Sequence, residues 1–419
     1  MNQQSKIPLS KWLQHPALAV IVVFGGSTIR GGHHLMLWFA ISILLLFYSH
    51  YWRGKLVLDK WLQLYGGLAV FSLFSLGWAS EFETGWLVVV RILTCFLFMW
   101  TIQNSLRDSS EVILFLKSFC LILSVVVLYA LFGPSGEEDS EFSIGSKNTI
   151  GPLAFSLLLV NVVLWIMKVR LYIATLPIAV ATIVGSTSLK TFLALLVFAT
   201  AIVAISAFDI KRMARIYKLG LVATLLLFLG ISVTDITRFA SGYEKIEGRL
   251  KRYSEEIGFK QAGYAIDTSS QIELRSQFVS TGIRYFWDSP LLGHGANQFR
   301  VMLGKETGRE TYSHNTFIEL LVGFGLPGFL MFVFFLIGYA KVAWQSRRDP
   351  VGTLMLSYFL AFVVIGSGQE VTFHLPFLVL MVVTRQYFLM SASTMPYAIA
   401  PSRMASTATI GPSRRSLRH

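Results

Sequence analysis

Cysteine is scarce in this sequence, and so is charge. The two cysteines, Cys95 and Cys120, both lie inside apolar runs, so they offer neither a disulfide framework nor the paired spacing of a metal site. Charged residues make up 14% of the chain, whereas a soluble domain carries about 25%. The shortage of charge excludes an ordinary soluble protein.

Several well-known catalytic signatures are also missing. The sequence contains no nucleotide-phosphate loop, no lipase nucleophile elbow and no zinc-protease motif. It shows no internal repeat, which a transporter built on inverted repeats would carry. These absences argue against nucleotide-driven chemistry and against a transporter assembled from two matching halves.

Apolar residues dominate what is present. They make up 54% of the chain, and the mean hydropathy is +0.60. We expect an all-α polytopic membrane protein with about 12 transmembrane helices and one large extracytoplasmic loop, since a helix of about 20 apolar residues can cross a bilayer. The predicted spans cover residues 16–28, 34–51, 61–79, 85–102, 111–132, 149–167, 171–186, 189–208, 217–235, 315–340, 352–367 and 371–390.

The formal net charge of +13 would also fit a nucleic-acid-binding protein, but its distribution points to membrane topology. Basic residues cluster in alternate connections between spans, for example Lys211, Arg212 and Arg215. The positive-inside rule then places both termini in the cytoplasm. We therefore expect a multi-pass membrane protein with no nucleic-acid partner.

This topology divides the chain into four parts. Residues 1–235 form an N-terminal membrane bundle of about nine spans, and residues 236–313 form the extracytoplasmic loop. Residues 314–390 form the C-terminal membrane helices, and residues 391–419 form a cytoplasmic tail that is predicted to be disordered. Inside the loop, residues 245–256 and 272–286 predict surface helices, and DSPLLGHGANQF at residues 288–299 predicts a sharp bend.

His314 is the leading candidate for catalysis. Polar residues end at Asn315 and Thr316, and an apolar run follows them. Thr316 and Glu319 have capping-box spacing, which predicts a helix that begins near Thr316. His314 would lie at the mouth of this helix, where free N–H groups and the helix dipole favour an anion. It is therefore either a general base beside an anionic substrate or an ordinary polar residue of the membrane interface.

Four basic residues are candidates for holding the phosphates of such a substrate. Arg275 and Arg284 lie in the predicted loop, Lys190 opens the eighth span, and Lys147 stands just before the sixth. Guanidinium groups bind phosphate oxygens at two points, and ionisable groups at membrane depth are functional candidates. The alternatives are solvated loop charges for the arginines, snorkelling for Lys190 and a simple N-cap at residues 147–148.

Four further residues are expected to support this site. Asn315 adjoins His314, and Asn148 adjoins Lys147. Arg91 lies inside the fourth span and is expected to face the bundle. His294 belongs to the turn-rich stretch at residues 288–299.

No metal and no cofactor are expected. His33 and His34 are adjacent, which is poor geometry for one metal ion. Glu81 and Glu83 could hold a cation near the outer surface, but they lack a specific ligand spacing. We therefore assign no metal ligand.

Four motifs resemble the O-antigen ligase and Wzy-type polysaccharide polymerase superfamily. They are KNTIGPL at residues 147–153, STSLKT at 186–191, ELRSQFVSTGIRYFWDSPLLGHGANQF at 273–299 and SHNTFIELLVGFGLPGFL at 313–330. The resemblance covers about residues 140–345, and its last two motifs are the most specific. The Ser-x-Lys-Thr form around Lys190 is closest to the exopolysaccharide polymerase branch, whereas many ligases have arginine there.

The resemblance implies a GT-C-like membrane glycosyltransferase whose donor is a polyprenyl-diphosphate-linked glycan. It implies that His314 is catalytic and that Arg275, with the other cations, binds the diphosphate. The implied function is polymerisation of lipid-linked oligosaccharide repeat units into surface polysaccharide or exopolysaccharide at the outer face of a bacterial cytoplasmic (inner) membrane. A ligase that transfers finished glycan to lipid A–core or protein is the alternative, and a lipid-linked saccharide flippase is a third reading. A glycan acceptor, membrane lipid, chain-length regulators and export proteins are the expected partners.

Overall fold

The computed structural model describes residues 12–30, 35–132, 147–185, 189–206, 271–308, 310–367 and 374–394. Within these ranges every regular element is an α-helix. The helices are α1 Pro16–Arg30, α2 Leu35–Arg53, α3 Lys60–Ser75, α4 Phe82–Ser105, α5 Ser109–Phe132, α6 Lys147–Ile166, α7 Tyr172–Gly185, α8 Leu189–Ser206, α9 Gln271–Asp288, α10 Gln298–Thr307, α11 Thr316–Gln345, α12 Pro350–Gly366 and α13 Leu375–Thr394.

The predicted spans agree well with these helices. Every predicted span except 217–235, which lies outside the described residues, coincides with a helix. Among the described helices, four are long and apolar enough to cross a membrane, namely α2 over Leu35–Trp52, α4, α5 and α11. The all-α class and the membrane-protein assignment therefore hold, while the total of 12 spans stays a prediction.

The predicted loop is described only in its second half. The helix expected at residues 272–286 is confirmed as α9. The helix expected at residues 245–256 lies outside the described residues. Of the predicted tail at 391–419, residues 391–394 belong to α13 instead, and the remainder lies outside the described residues.

The helices pack around one large apolar core. α11 packs against α3, α9 and α12, while α8 packs against α12 and α4 against α2. α3 and α11 run antiparallel. Trp61 at the start of α3 donates from Nε1 to the carbonyl of Phe335 at 2.7 Å, whereas Leu68, further along α3, lies beside Gly328, which is earlier in α11. The end of α3 consequently lies beside the earlier part of α11, where the candidate site is found.

A second, smaller core lies between α9, α10 and the first turns of α11. It contains Tyr285, Phe299, Leu303, Ile318 and Val322. The apolar positions of α9 recur at helical spacing on the face that joins this core. This small core attaches α9 and α10 to α11 and so positions the residues around His314.

Candidate functional site

α11 is a broken helix. Gly325 has φ 60 and ψ −163, well outside helical values, and only a residue without Cβ adopts this conformation readily. Two residues later Pro327 has no N–H group to donate to the carbonyl of Gly323. The sequence GFGLPG therefore breaks the helix inside a segment that is otherwise long and apolar enough to span a membrane.

A turn formed by residues 290–296 fills this break. The N–H of His294 donates to the carbonyl of Val322 at 2.8 Å, and the N–H of Gly295 donates to that of Gly323 at 2.9 Å. In return, the N–H of Leu326 donates to the carbonyl of Pro290 at 2.8 Å. An unpaired backbone group in an apolar environment is costly, so the turn stabilises the break by pairing these groups.

The predicted bend at residues 288–299 is confirmed, and it depends on glycine. Gly293 and Gly295 have φ values of 67 and 100, which residues with a Cβ rarely adopt. At Gly293 a Cβ would also lie 2.5 Å from the carbonyl oxygen of Gly323 and 2.6 Å from the nitrogen of Gly325. The turn therefore approaches the break backbone to backbone.

The turn is also fastened to the connection between α3 and α4. The buried side chain of Gln298 accepts from the Ser80 hydroxyl at 2.6 Å and from the N–H of Glu81 at 3.2 Å. Its amide nitrogen donates to the carbonyl of Glu81 at 3.0 Å. Glu81 thus binds Gln298 through its backbone. Among the described residues, no group of three or more His, Cys, Asp or Glu side chains could hold a metal ion.

His314 lies immediately before α11 in a left-handed conformation, with φ 56. Histidine adopts this region more readily than most residues, but at some cost in free energy. The residues on each side hold it there: the Ser313 hydroxyl donates to the carbonyl of Asn315 at 3.0 Å, and the N–H of Asn315 donates to the Ser313 hydroxyl at 3.2 Å. The loop that carries His314 is therefore a defined structure.

Asn315 is the N-cap of α11. Its side-chain oxygen accepts from the N–H groups of Phe317 at 2.9 Å and Ile318 at 3.2 Å. The helix does begin at Thr316 as predicted. However, the expectation of free N–H groups at its mouth is wrong for these two, because Asn315 already occupies them. An anion near His314 would interact with the helix dipole and neighbouring cations rather than with these groups.

The capping box expected between Thr316 and Glu319 is also wrong. With Asn315 as N-cap, Glu319 lies one position too far along the helix for that motif. Its carboxylate instead accepts from the N–H of Ser313 at 2.5 Å, and both residues are buried. Glu319 therefore stabilises the loop that carries His314 by accepting a hydrogen bond from its backbone. The spacing of residues along the sequence did not indicate this role.

The ring of His314 lies close to two aromatic side chains. Its centroid is 4.1 Å from that of Tyr312 and 6.2 Å from that of Phe278, and the Phe278 ring is stacked. Phe278 belongs to α9, which approaches α11 closely at Gly282, where a Cβ would lie 2.2 Å from Cγ2 of Ile318. α9 therefore forms one wall of the His314 site.

Arg275 belongs to the same wall by its position in the helix. Positions 275, 278, 282 and 285 recur at helical spacing, so they share one face of α9. Phe278 and Gly282 on this face lie against His314 and α11. The backbone of Arg275 thus lies one turn from the residue that stacks on His314.

Arg284 forms an ion pair with Glu306. Its Nη2 donates to both carboxylate oxygens, at 2.6 and 2.7 Å, and the hydroxyl of Tyr285 donates to the same carboxylate at 2.5 Å. The hydrogen bond from Arg284, followed by that from Tyr285, lowers the pKa of Glu306. Burial, followed by the bond to Glu306, raises the pKa of Tyr285 to about 12. A phosphate that binds Arg284 would compete with this carboxylate.

The side chain of His294 is half-buried and makes a structural hydrogen bond. Its Nε2 lies 2.7 Å from the carbonyl oxygen of Tyr285, so Nε2 must carry the proton for this hydrogen bond. Its backbone N–H pairs with Val322 across the break. His294 therefore joins the end of α9 to the turn.

A comparison with protein families decides the assignment of this region. Residues 142–333 match the family model described as Wzy_C, O-Antigen ligase. This region belongs to the O-antigen ligase/Wzy-type superfamily. No curated protein matches the chain.

The O-antigen ligase match includes α9, α10, the turn, His314 and the break in α11. Together with the apolar helices, it identifies a transmembrane protein of polysaccharide biosynthesis with a polymerase or ligase role. Helices α1 to α5 lie outside the match. The α3–α4 connection nevertheless holds the turn of the O-antigen ligase region through Gln298.

For the remaining predicted site residues of the O-antigen ligase region, we describe the position of the backbone. Lys147 and Asn148 begin α6, and Lys190 is the second residue of α8. Outside the match, Arg91 is half-buried on α4, and His33 and His34 lie outside the described residues. The structure thus brings His314, Asn315 and the α9 face of Arg275 together, while the roles of all these candidate site residues stay predictions.

Proposed function

We propose that this protein polymerises lipid-linked oligosaccharide repeat units by glycosyl transfer from a polyprenyl-diphosphate donor at the outer face of the cytoplasmic membrane. One observation carries the proposal: within the O-antigen ligase region, His314 is held left-handed between Ser313 and Asn315 and lies against the α9 face that includes Arg275. A basic nitrogen fixed beside a guanidinium-bearing helix suits a reaction between a hydroxyl group and a diphosphate ester.

The proposed reaction is a direct displacement. A hydroxyl oxygen of the acceptor glycan attacks the anomeric carbon of the donor, and the bond from that carbon to the diphosphate oxygen breaks. The leaving polyprenyl diphosphate takes the electron pair, and His314 accepts the hydroxyl proton as general base. Attack opposite the leaving group inverts the configuration at the anomeric carbon.

Cations stabilise the leaving diphosphate in this proposal. Arg275 makes the principal contact, because a guanidinium binds two phosphate oxygens at once. Lys190, Lys147 and Arg284 add positive charge, and Asn148 and Arg91 support them. Arg284 would exchange Glu306 for phosphate when the donor binds. Stabilising charge that builds on the leaving group in this way lowers the barrier, and the proposal needs no metal ion.

A ligase that transfers finished glycan to lipid A–core or to protein is the second candidate. The Ser-x-Lys-Thr sequence around Lys190 favours the polymerase, since many ligases have arginine at that position. A flippase fits less well: in the described part of the chain the break in α11 is filled by the backbone of residues 290–296. A polymerase would use membrane lipid, chain-length regulators and export proteins as further partners.

The test is an assay with purified protein and lipid-linked repeat units. We expect His314→Ala to lower turnover by about 10²–10⁴-fold, the usual contribution of general-base catalysis. His314→Gln should be nearly as inactive, because its amide offers hydrogen bonds but no basic nitrogen. His50→Gln, at an exposed position near the end of α2, is the matched control and should remain active.

Donor binding, measured separately, distinguishes the possible roles of His314. It should survive in both His314 variants, because the cations that hold the diphosphate remain. Normal polymerisation by His314→Gln would reduce His314 to a structural residue. Loss of donor binding in both variants would make it a phosphate ligand instead of a base. Transfer to lipid A–core without chain elongation would favour the ligase.

A further inference from the structure

Five apolar side chains form an exposed surface beside the break in α11, which we call the apolar ledge. They are Ile283, Trp287, Leu291, Leu292 and Leu326, and they are between 42% and 70% exposed. The N–H of Leu326 donates to the carbonyl of Pro290, directly before Leu291. The ledge therefore joins α9, the turn and a candidate membrane-spanning helix in one surface.

α9 presents three different sides, and the ledge occupies one of them. Phe278, Gly282 and Tyr285 face the small core and α11. Ile283 and Trp287, four residues apart, form the exposed apolar side. Gln277 and Arg284, seven residues apart, are exposed on the polar side. A helix with a protein side, an apolar side and a polar side is typical of the boundary between membrane and water.

The length of α11 places the ledge at the same boundary. The helix has 30 residues and would extend about 45 Å, whereas the hydrocarbon core of a bilayer is about 30 Å thick. The part from Leu326 to Gln345 alone would extend about 30 Å. The break at Gly325 then coincides with one edge of the hydrocarbon, and the first turns of α11 stand in the headgroup region.

Aromatic residues near the turn agree with this depth. Gly295 lies against Ala79, where a Cβ would come within 2.7 Å of the Ala79 Cβ. Trp78 and Phe82, on either side of that contact in the chain, are both exposed. Tryptophan is enriched at the level where hydrocarbon meets headgroups, so an exposed Trp78 next to the turn is consistent with a turn at the edge of the hydrocarbon.

We propose that the apolar ledge is inserted into the hydrocarbon edge of the lipid leaflet nearest His314. α9 then lies in the membrane interface with its polar side toward water. The His314 loop directly precedes the first turns of α11, so it stands at the height of the lipid headgroups. The partner of the apolar ledge is therefore the bilayer.

The experiment uses the full-length protein in nanodiscs of phosphatidylethanolamine and phosphatidylglycerol. Single spin labels are placed through Leu292→Cys, Trp287→Cys and, as the matched control on the polar side of α9, Gln277→Cys. The native cysteines are buried, and labelled wild-type protein corrects for any reaction there. The measurement is the ratio of collisions with oxygen to collisions with a water-soluble nickel complex.

We expect a higher oxygen-to-nickel ratio at Leu292 and Trp287 than at Gln277, because oxygen concentrates in hydrocarbon. Equal, water-like ratios at all three positions would overturn the proposal. Dipolar broadening between labels at Leu292 would overturn it too, because a second copy of the chain would then cover the ledge. These readouts are independent of glycosyl transfer, so they succeed or fail separately from the proposed function.

A second measurement tests the proposal even if the labelled variants fail to fold. Trp287→Phe is a conservative change, and its fluorescence is compared with that of the wild-type protein in lipids brominated near the headgroup. Brominated lipid should quench a larger share of the fluorescence in the wild type than in Trp287→Phe. Identical quenching in the two proteins would show that Trp287 does not contact lipid.

Discussion

The backbone N–H of Gly295 donates to the carbonyl of Gly323 at 2.9 Å and so takes the place of the donor that Pro327 cannot provide. The two glycines belong to motifs that are separate in the sequence. Because Gln298 joins the same turn to the α3–α4 connection, this hydrogen bond adds to the contacts between the N-terminal bundle and the helix that follows His314.

The turn should therefore tolerate no side chain at Gly293. Gly293→Ala adds a Cβ that would meet the carbonyl oxygen of Gly323 at 2.5 Å, in a left-handed conformation. The conformation alone costs about 1–2 kcal/mol, and the clash adds to it. Gly308→Ala is the matched control, since Gly308 also has positive φ but nothing lies within 4 Å of its Cβ position. Thermal unfolding in detergent should show the larger loss for Gly293→Ala, and equal losses would contradict the fit of the turn.

Glu319 should matter as a hydrogen-bond acceptor more than as a charge. Glu319→Gln keeps an oxygen that accepts from the N–H of Ser313, so its unfolding temperature should stay close to that of the wild type. Glu319→Leu leaves that buried N–H unpaired, at a cost of about 1–3 kcal/mol. The leucine variant should also lose turnover, because the His314 loop loses its brace. If the two variants behave alike, the contact with Ser313 does not position His314.

Arg275 should be essential for product formation. Arg275→Ala is expected to abolish product while protein levels stay unchanged, and Arg275→Lys should recover little, since an ammonium group cannot bind two oxygens in the same way. Arg300→Ala, which removes a half-buried arginine of α10 that pairs with Glu310 at 3.5 Å, is the control and should remain active. A fully active Arg275→Ala variant would identify Arg275 as a solvated surface residue.

Reporter fusions should establish which side of the membrane holds the site. Fusions after Val57, Ala214 and Gln345 should be active in the cytoplasm, because basic residues cluster in these connections. A fusion after Lys260 should be active outside. Cytoplasmic activity at Lys260 would place His314 and Arg275 in the wrong compartment and rule out the proposed reaction.

Much of the fold could be predicted from periodicity and composition. The predicted spans coincide with helices wherever the structure describes them, and the helix at residues 272–286 is present as α9. The position of His314 before an apolar run already marks it as a candidate catalytic residue. The sequence does not indicate the structural roles of Ser313 and Gln298. The one available clue is that buried polar residues next to apolar helices need hydrogen-bond partners.

The all-α membrane class, the places of the helices and the motifs of the O-antigen ligase region can all be read from the chain, because apolar spacing and local motifs are properties of short stretches. Three features become visible only in the folded molecule: residues 290–296 close the break in α11, Asn315 rather than Thr316 caps this helix, and Glu319 braces Ser313. Such pairings depend on which buried backbone groups lack a partner after the helices pack, and no spacing along the chain records that.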